Sequence, residues 1–153
     1  KIRGEGGSDR IIGGDGSDEL SGGEGADRIY GQGGNDQFIH QVGKDGDGDI
    51  YFGGDDTDRL DLRKPESESQ RYSIDEIKKS FKFFKENNKG EVKEIKLSNL
   101  NNGSIGGHDK GQHFIRLTHD KIFGDNQKGY IITPKGEKII LDGVERLSVL
   151  DWR

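Results

Sequence analysis

A nine-residue repeat, in which glycine and aspartate return at fixed positions, constrains this chain more than any other feature. Four consecutive blocks follow the pattern GGxGxDxUx, where U is apolar: GEGGSDRII (4–12), GGDGSDELS (13–21), GGEGADRIY (22–30) and GQGGNDQFI (31–39). The repeated aspartates are Asp9, Asp18, Asp27 and Asp36, and the apolar residues two places further on are Ile11, Leu20, Ile29 and Phe38. So short a period predicts a stack of identical units.

Each residue type in the repeat meets a separate geometric demand. Glycine adopts positive φ without steric cost, so a run such as Gly13-Gly14-x-Gly16 can turn tightly and aim successive carbonyls to opposite sides. The turn becomes a cup of oxygens, and the aspartate that closes it adds an anionic ligand. An all-oxygen, flexible shell is what Ca²⁺ prefers, so calcium is the expected ion. The apolar side chain points inward from a short strand, and stacked units bury one apolar row on each face.

Residues 4–39 resemble the calcium-binding nonapeptide repeats of the repeats-in-toxin family, the hemolysin-type RTX repeats. The stretch DRLDL (58–62) is similar to the segment that closes the repeats in secreted metalloproteases and alginate epimerase modules. The resemblance implies a parallel β-roll, export through type I secretion machinery and folding in extracellular calcium. Family members include toxins, adhesins, proteases, lipases and epimerases, so the repeat identifies a type of module but not the activity of the protein that contains it.

Stacked turns of such a roll lie eighteen residues apart, because two half-coils complete one turn. We therefore expect Asp9 and Asp27 to share one ion, and Asp18 and Asp36 to share another on the opposite edge. By analogy with RTX rolls, backbone carbonyls complete each shell: Gly4, Gly6, Gly23 and Gly25 for the first ion, and Gly13, Asp15, Gln32 and Gly34 for the second. Several calcium ions are expected, with two as the minimum.

After four extra residues, 40–43, the repeat resumes in degenerate form. Blocks KDGDGDIYF (44–52) and GGDDTDRLD (53–61) place Asp49 and Asp58 nine residues apart, as further candidate ligands. Both blocks lack glycine at the fourth position, where Asp47 and Asp56 stand. A competing interpretation takes 45–49 as the start of an EF-hand loop, but that loop needs glycine sixth and glutamate twelfth, and this chain has Ile50 and Asp56 there.

Composition favours a fold that depends on metal. Hydrophobic residues make up only 27% of the chain and charged residues 35%, so little core can form. Residues 1–61 carry fifteen acidic against six basic side chains, a net charge of −9, and the roll is expected to be disordered without cations. When the free calcium concentration is about ten times the dissociation constant, each ion stabilises the fold by about 1.4 kcal/mol. This is a sizeable share of the free energy of unfolding of a domain, which is about 5–15 kcal/mol. The chain has no cysteine, so disulfide bonds cannot stabilise the fold in place of calcium.

Residues 63–153 are expected to form a small α+β or β-rich cap over the roll of residues 1–62. Ser73-x-x-Glu76 is a capping box that predicts one helix over about 74–86, with its apolar face formed by Ile74, Ile77, Phe81 and Phe84. Apolar runs predict antiparallel strands near 91–97, 113–118, 129–133, 137–141 and 144–150. Thr133-Pro134-Lys135-Gly136 suits a tight turn, so 129–141 is predicted to be a hairpin.

The sequence contains no catalytic signature that we recognise. HExxH, GxSxG and a cysteine nucleophile are all missing, so we expect no enzyme activity. His108, His113 and His119 are expected to be surface loop and strand residues and not a zinc site. No apolar stretch approaches membrane-spanning length, and no nucleic-acid partner is expected.

Two functions follow as hypotheses. The first is a secreted, extracellular calcium-binding module whose folding supports type I secretion and stability of a larger toxin, adhesin or exoenzyme. The alternative is a non-catalytic module that binds a polysaccharide or a host cell surface through the roll and the lysine-rich cap. The free-standing enzyme is the least favoured of three classes.

Overall fold

The chain forms strands arranged in two sheets. The computed structural model describes residues 1–64, 76, 79–95, 105–109, 112–116 and 128–150, with the backbone alone for 105–109, 112–116 and 149–150. The strands are β1 Ile2–Gly6, β2 Arg10–Asp15, β3 Glu19–Glu24, β4 Arg28–Gly33, β5 Gln37–Gln41, β6 Ile50–Gly54, β7 Arg59–Arg63, β8 Lys82–Glu86, β9 Val92–Ile95, β10 Ile105–Asp109, β11 Gln112–Arg116, β12 Lys128–Ile132, β13 Lys138–Asp142 and β14 Arg146–Leu150.

Strands β1 to β7 alternate between the two sheets, and each of β1 to β5 pairs in parallel with the strand two places further along the chain. The order is β1-β3-β5-β7 in one sheet and β2-β4-β6 in the other. Leu20 lies beside Phe38, an offset of eighteen residues, and Ile29 lies beside Tyr51, an offset of twenty-two that takes up four extra residues. The predicted parallel β-roll is therefore confirmed.

The turns of the roll stack so closely that glycine is required at particular places. Gly23 has φ 94° and Gly25 has φ 129°. A Cβ at Gly23 would run into the carbonyl oxygen of Glu5, and one at Gly25 into that of Gly7, in the turn beneath. Gly23 and Gly25 thus need both positive φ and open space, which only glycine supplies without strain, whereas Glu5, Gln32 and Asp56 adopt positive φ in other turns.

The core of the roll is the apolar row between the two sheets. It consists of the repeat's U residues, all of them buried: Ile11, Leu20, Ile29, Phe38, Tyr51 and Leu60. Because each half-coil contributes one such side chain from a short strand, the interior is narrow. The predicted inward direction of these residues is confirmed.

The cap is built mainly from antiparallel strands. Strands β12 and β13 form the predicted hairpin, in which Ile131 lies beside Ile139, and the turn closes through a hydrogen bond of 2.9 Å from Gly136 N–H to the Thr133 carbonyl. Predicted strands near 91–97, 113–118 and 144–150 correspond to β9, β11 and β14. Strand β10 was not predicted.

The predicted helix over 74–86 is wrong in its second half. Glu76, Lys79 and Ser80 are helical, but β8 begins at Lys82 and pairs with β12 and β9. Phe83 is buried while Lys82 is exposed, so the apolar period here is two, and pairing with β12 overrides the helical pattern. Ile74 and Ile77 lie outside the described residues. In the described part of the chain, no helix has the length and apolar character to cross a membrane.

The last strands of the cap extend the roll itself. Strand β13 pairs in parallel with β6, and β14 pairs in parallel with β7 over the whole of Arg59–Arg63. Leu147 lies beside Leu60 and is buried like it. Both sheets therefore continue across residue 62, where the sequence predicted the boundary between roll and cap.

Candidate metal centres

Stacked turns bring the repeated aspartates into two columns, one on each edge of the roll. The first column contains Asp9, Asp27 and Asp49, and the second contains Asp18, Asp36 and Asp58. In the first column the backbone N–H of Asp9 donates to Asp27 Oδ1 at 2.7 Å. In the second, that of Asp18 donates to Asp36 Oδ1 at 2.8 Å. The structure thus brings together the aspartates that were predicted to share ions.

The same hydrogen bond repeats further along each column. Asp27 N–H donates to Asp49 Oδ1 and Asp36 N–H to Asp58 Oδ1, both at 2.9 Å. Each bond holds one oxygen of a carboxylate and fixes the direction of the other. The degenerate repeats therefore place Asp49 and Asp58 in register with the strict ones.

The second oxygen of most of these carboxylates is buried and accepts no hydrogen bond. These atoms are Oδ2 of Asp9, Asp27, Asp36 and Asp58. Leaving a buried carboxylate oxygen unpartnered is costly, on the order of several kcal/mol for an ion removed from water. The four atoms therefore mark places where a cation would stabilise the fold.

The titration of the buried aspartates reflects the same cost. Burial raises the pKa of Asp27 and of Asp36 above the usual range, against the opposing effect of the backbone hydrogen bonds that each accepts. Burial, together with the negative charge of Glu145, raises the pKa of Asp58 to about 7. A bound cation would lower all three pKa values by favouring the ionised form.

Each unpartnered oxygen faces a cradle formed by the first glycine of its own turn. A Cβ at Gly4 would stand 2.5 Å from Asp9 Oδ2 and 2.5 Å from the carbonyl oxygen of Gly22 in the next turn. At Gly31, a Cβ would meet Asp36 Oδ2 and, at 2.5 Å, the carbonyl oxygen of Gly53. The space that a side chain would fill is thus lined by one carboxylate oxygen and one carbonyl oxygen.

The donor set fits calcium better than a transition metal. Within the described residues, no three His, Cys, Asp or Glu side chains come together as a metal cluster. The ligands must therefore include backbone carbonyls, which suit a hard cation with a large, flexible shell. The cradles at Gly4, Gly31 and Gly53 combine these two oxygen types, so the residues present fit Ca²⁺.

The predicted carbonyl ligands lie in the turns that flank the two predicted sites. Gly4 and Gly6 belong to the turn below Gly23 and Gly25. In the same way, the turn with Gly13 and Asp15 lies below the one with Gln32 and Gly34. Their ligation stays a prediction. Sequence reasoning missed the carbonyls of Gly22, Gly31 and Gly53, although these are the first-position glycines of the motif.

Asp49 differs from the other members of its column because its second oxygen is occupied. Asp49 Oδ2 lies 3.0 Å from His40 Nδ1 and accepts a hydrogen bond of 3.1 Å from the Tyr51 hydroxyl. His40 Nε2 lies 3.7 Å from Glu137 Oε2, and His40, Asp49 and Tyr51 are fully buried. Burial acts to lower the pKa of His40, but its bonds to the two carboxylates outweigh burial and raise that pKa to about 9. A protonated imidazole thus lies beside Asp49.

The turn before Asp49 has a different register from the one predicted. A Cβ at Gly46 would stand 2.6 Å from the carbonyl oxygen of Gly25, the contact that fourth-position glycines make with the turn beneath. Gly25 N–H donates to the Asp45 carbonyl at 2.7 Å, which places Asp45 third. The fourth position is therefore Gly46 and not Asp47, and the extra residue lies between Gly46 and Asp49.

Sequence reasoning also missed Glu145. Asp58 N–H donates to Glu145 Oε2 at 2.8 Å, so Glu145 continues the second column from eighty-seven residues away. The only signal was Glu-Arg-Leu at 145–147, which matches Asp-Arg-Leu at 58–60. Of the three clustered histidines, His108 and His113 lie in β10 and β11, and His119 lies outside the described residues.

Comparison with known proteins agrees with the geometry of the roll. Residues 3–38 match the RTX calcium-binding nonapeptide repeat in four copies. No curated protein and no solved structure matches the chain. This part of the molecule is thus a set of calcium-binding repeats, which agrees with the stacked turns and the aspartate columns.

Proposed function

We propose, starting from the four RTX repeats at residues 3–38, that this chain is the calcium-dependent folding module of a larger secreted protein. Calcium folds the roll outside the cell, and the folded roll with its cap then stabilises the parent toxin, adhesin or exoenzyme. Inside the cell, where calcium is scarce, the roll stays unfolded and can pass through type I secretion machinery.

The observation that carries this proposal is the set of four buried Oδ2 atoms without a hydrogen-bond partner, in Asp9, Asp27, Asp36 and Asp58. Without an ion, each opposes folding through desolvation and through repulsion within its column. With an ion, each becomes a ligand. A ligand that binds only the folded state shifts the folding equilibrium by mass action, so calcium concentration decides whether the roll forms.

We infer that the module is not itself catalytic. His40, Asp49 and Tyr51 form a buried group of titratable side chains with acid–base potential. All three are fully buried, so a substrate has no access to them. Asp49 Oδ2 joins the other two side chains, through contacts with His40 Nδ1 and the Tyr51 hydroxyl, which is typical of a structural network.

The experiment that tests the proposal is a calcium titration of the purified chain followed by circular dichroism. We expect disorder in EDTA, a cooperative gain of β-structure in millimolar calcium, and little response to magnesium, whose strict octahedron suits these cradles poorly. Accumulation of folded protein outside secreting cells is expected to require external calcium. A roll that is fully ordered in EDTA would contradict the proposal.

A second candidate function, binding of a polysaccharide, is favoured by one feature of the outer face of the β2-β4-β6 sheet. The half-buried rings of Tyr30 and Phe52 stack with centroids 4.5 Å apart, and the Arg10 guanidinium lies 5.2 Å from the Tyr30 centroid. Aromatic faces beside a cation can hold an anionic sugar. Glycan binding in saturating calcium, compared between the natural chain and Tyr30→Ala, tests it, and no binding at any concentration removes it.

A further inference from the structure

The segment from Gly143 to Leu147 continues the second column beyond the last repeat. Strand β14 places Arg146 beside Arg59 and Leu147 beside Leu60, just as β7 places Arg59 beside Gln37 and Leu60 beside Phe38. The bond from Arg146 N–H to the Asp58 carbonyl is 3.0 Å long, and the equivalent bond from Arg59 N–H to the Asp36 carbonyl is 2.9 Å. The cap therefore repeats the backbone geometry of a half-coil.

The carboxylate of this segment also takes the place of a repeat aspartate. Glu145 Oε2 accepts the N–H of Asp58 at 2.8 Å, and Asp58 Oδ1 accepts that of Asp36 at 2.9 Å. Glu145 is 1% exposed, so it is as buried as the aspartates below it. Glu145 thus stands one level above Asp58 in the second column.

The cradle at this level has the same lining as those within the roll. A Cβ at Gly53 would run into Asp58 Oδ2 and the carbonyl oxygen of Gly143. The equivalent position at Gly31 is lined by Asp36 Oδ2 and the carbonyl oxygen of Gly53. Asp58 is fully buried, and its Oδ2 accepts no hydrogen bond. An unpartnered carboxylate oxygen therefore points into a carbonyl-lined space at the junction of roll and cap.

The chain reaches this geometry with a shorter turn than the repeats use. Gly53 precedes Asp58 by five residues, whereas Gly143 precedes Glu145 by two. Gly143 has φ 68°, which lets the short turn reverse. The side chain of glutamate is one methylene longer than that of aspartate, and this extra length suits a turn from which three residues are missing.

We propose that Gly53, Asp58, Gly143 and Glu145 form a calcium site that joins the cap to the roll. The ligands are the two carboxylates and the Gly143 carbonyl, and Gly53, which has no Cβ, keeps one side of the site open. The ion holds β14 on β7, so calcium binding and docking of the cap are thermodynamically coupled. This inference rests on the proposed function, because it takes calcium as the ion.

The test is to count the calcium ions bound to the full chain by native mass spectrometry, with calcium as the probe. Asp58→Asn and Glu145→Gln each keep an oxygen that can accept the hydrogen bond of the column but lose one negative charge. We expect each variant to bind one ion fewer than the natural chain, and the double variant also to bind one fewer. The matched control Glu94→Gln removes the same charge from an exposed position on β9 and is expected to keep every ion.

Three outcomes overturn the inference: both single variants keep all ions, the double variant loses two, or Glu94→Gln loses one as well. If the variants fail to fold, anomalous diffraction from crystals of the natural chain grown in calcium decides. We expect a calcium peak between Asp58 Oδ2 and the Gly143 carbonyl. Peaks inside the roll with none at this junction overturn the inference and leave the proposed function standing, whereas a chain that binds no calcium overturns both.

Discussion

His40 Nδ1 lies 3.0 Å from Asp49 Oδ2, the oxygen that in Asp9 and Asp27 of the same column has no hydrogen-bond partner. A protonated side chain of the protein thus meets the charge of Asp49, where a calcium ion would otherwise be needed. We expect His40→Leu to lower the free energy of unfolding in saturating calcium by about 3–5 kcal/mol, because Asp49 and Glu137 lose their cationic partner. Chemical denaturation measures this loss.

Tyr51→Phe is the matched comparison, since it removes one hydroxyl of the same network and keeps the ring. Its expected cost is smaller, about 1 kcal/mol. Equal costs for the two variants would show that His40 contributes packing and not charge.

Asp27→Asn should raise the calcium midpoint of folding by about tenfold, which corresponds to about 1.4 kcal/mol. The reason is that Asp27 Oδ2 is buried without a partner and is the oxygen available to an ion. Calcium titration by circular dichroism gives the midpoint. Asp15→Asn, the same charge change on an exposed side chain that keeps its backbone carbonyl, is expected to leave the midpoint unchanged. If both variants shift it equally, net charge and not ligation explains the effect.

Gly22→Ala should also weaken calcium binding, although it changes no ligand. A Cβ at Gly22 would occupy the space beside Asp27 Oδ2, so the methyl group competes with the ion. Gly6→Ala is the control, because a Cβ there meets nothing within 4 Å. Isothermal titration calorimetry is expected to show fewer bound ions for Gly22→Ala and an unchanged number for Gly6→Ala. Full occupancy in Gly22→Ala would mean that the ions lie elsewhere.

Low pH should partly replace calcium in stabilising the fold, because protonation neutralises the buried aspartates. The pKa of Asp58 is about 7 in the folded, metal-free chain against 3.8 for the free group, so the folded state binds more protons between these values. Its contribution to stability is therefore largest at low pH and is lost as pH rises through 7, and the raised pKa values of Asp27 and Asp36 act in the same direction.

Circular dichroism in EDTA is expected to show more β-structure at pH 5 than at pH 8. Asp58→Asn should reduce this difference, because the amide does not titrate. A metal-free chain that is equally disordered at both pH values would contradict the assignment of these carboxylates as the main obstacle to folding.

The sequence predicted the parts of the fold that follow from a period. The nine-residue spacing of Asp9 to Asp36 fixed the eighteen-residue pairing of strands, and the apolar residue two places after each aspartate gave the core. Prediction from the sequence failed where contacts between distant segments determine the structure. Lys82–Glu86 has a lysine–phenylalanine pattern compatible with a helix, and only pairing with β12 makes it a strand. Gly46 could not be placed without the turn beneath it, because an insertion changes the register.

The pairing of β14 with β7 joins segments that are far apart in the chain, and this separation affects how fast they can meet. Strands β2 and β4 of the roll pair at a separation of eighteen residues, but Asp58 and Glu145 are eighty-seven residues apart in the chain. Contacts between remote segments form slowly, since loop-closure entropy must be overcome first. We therefore expect the coils of the roll to pair first, and docking of β14 on β7 to be the slower, later step of folding.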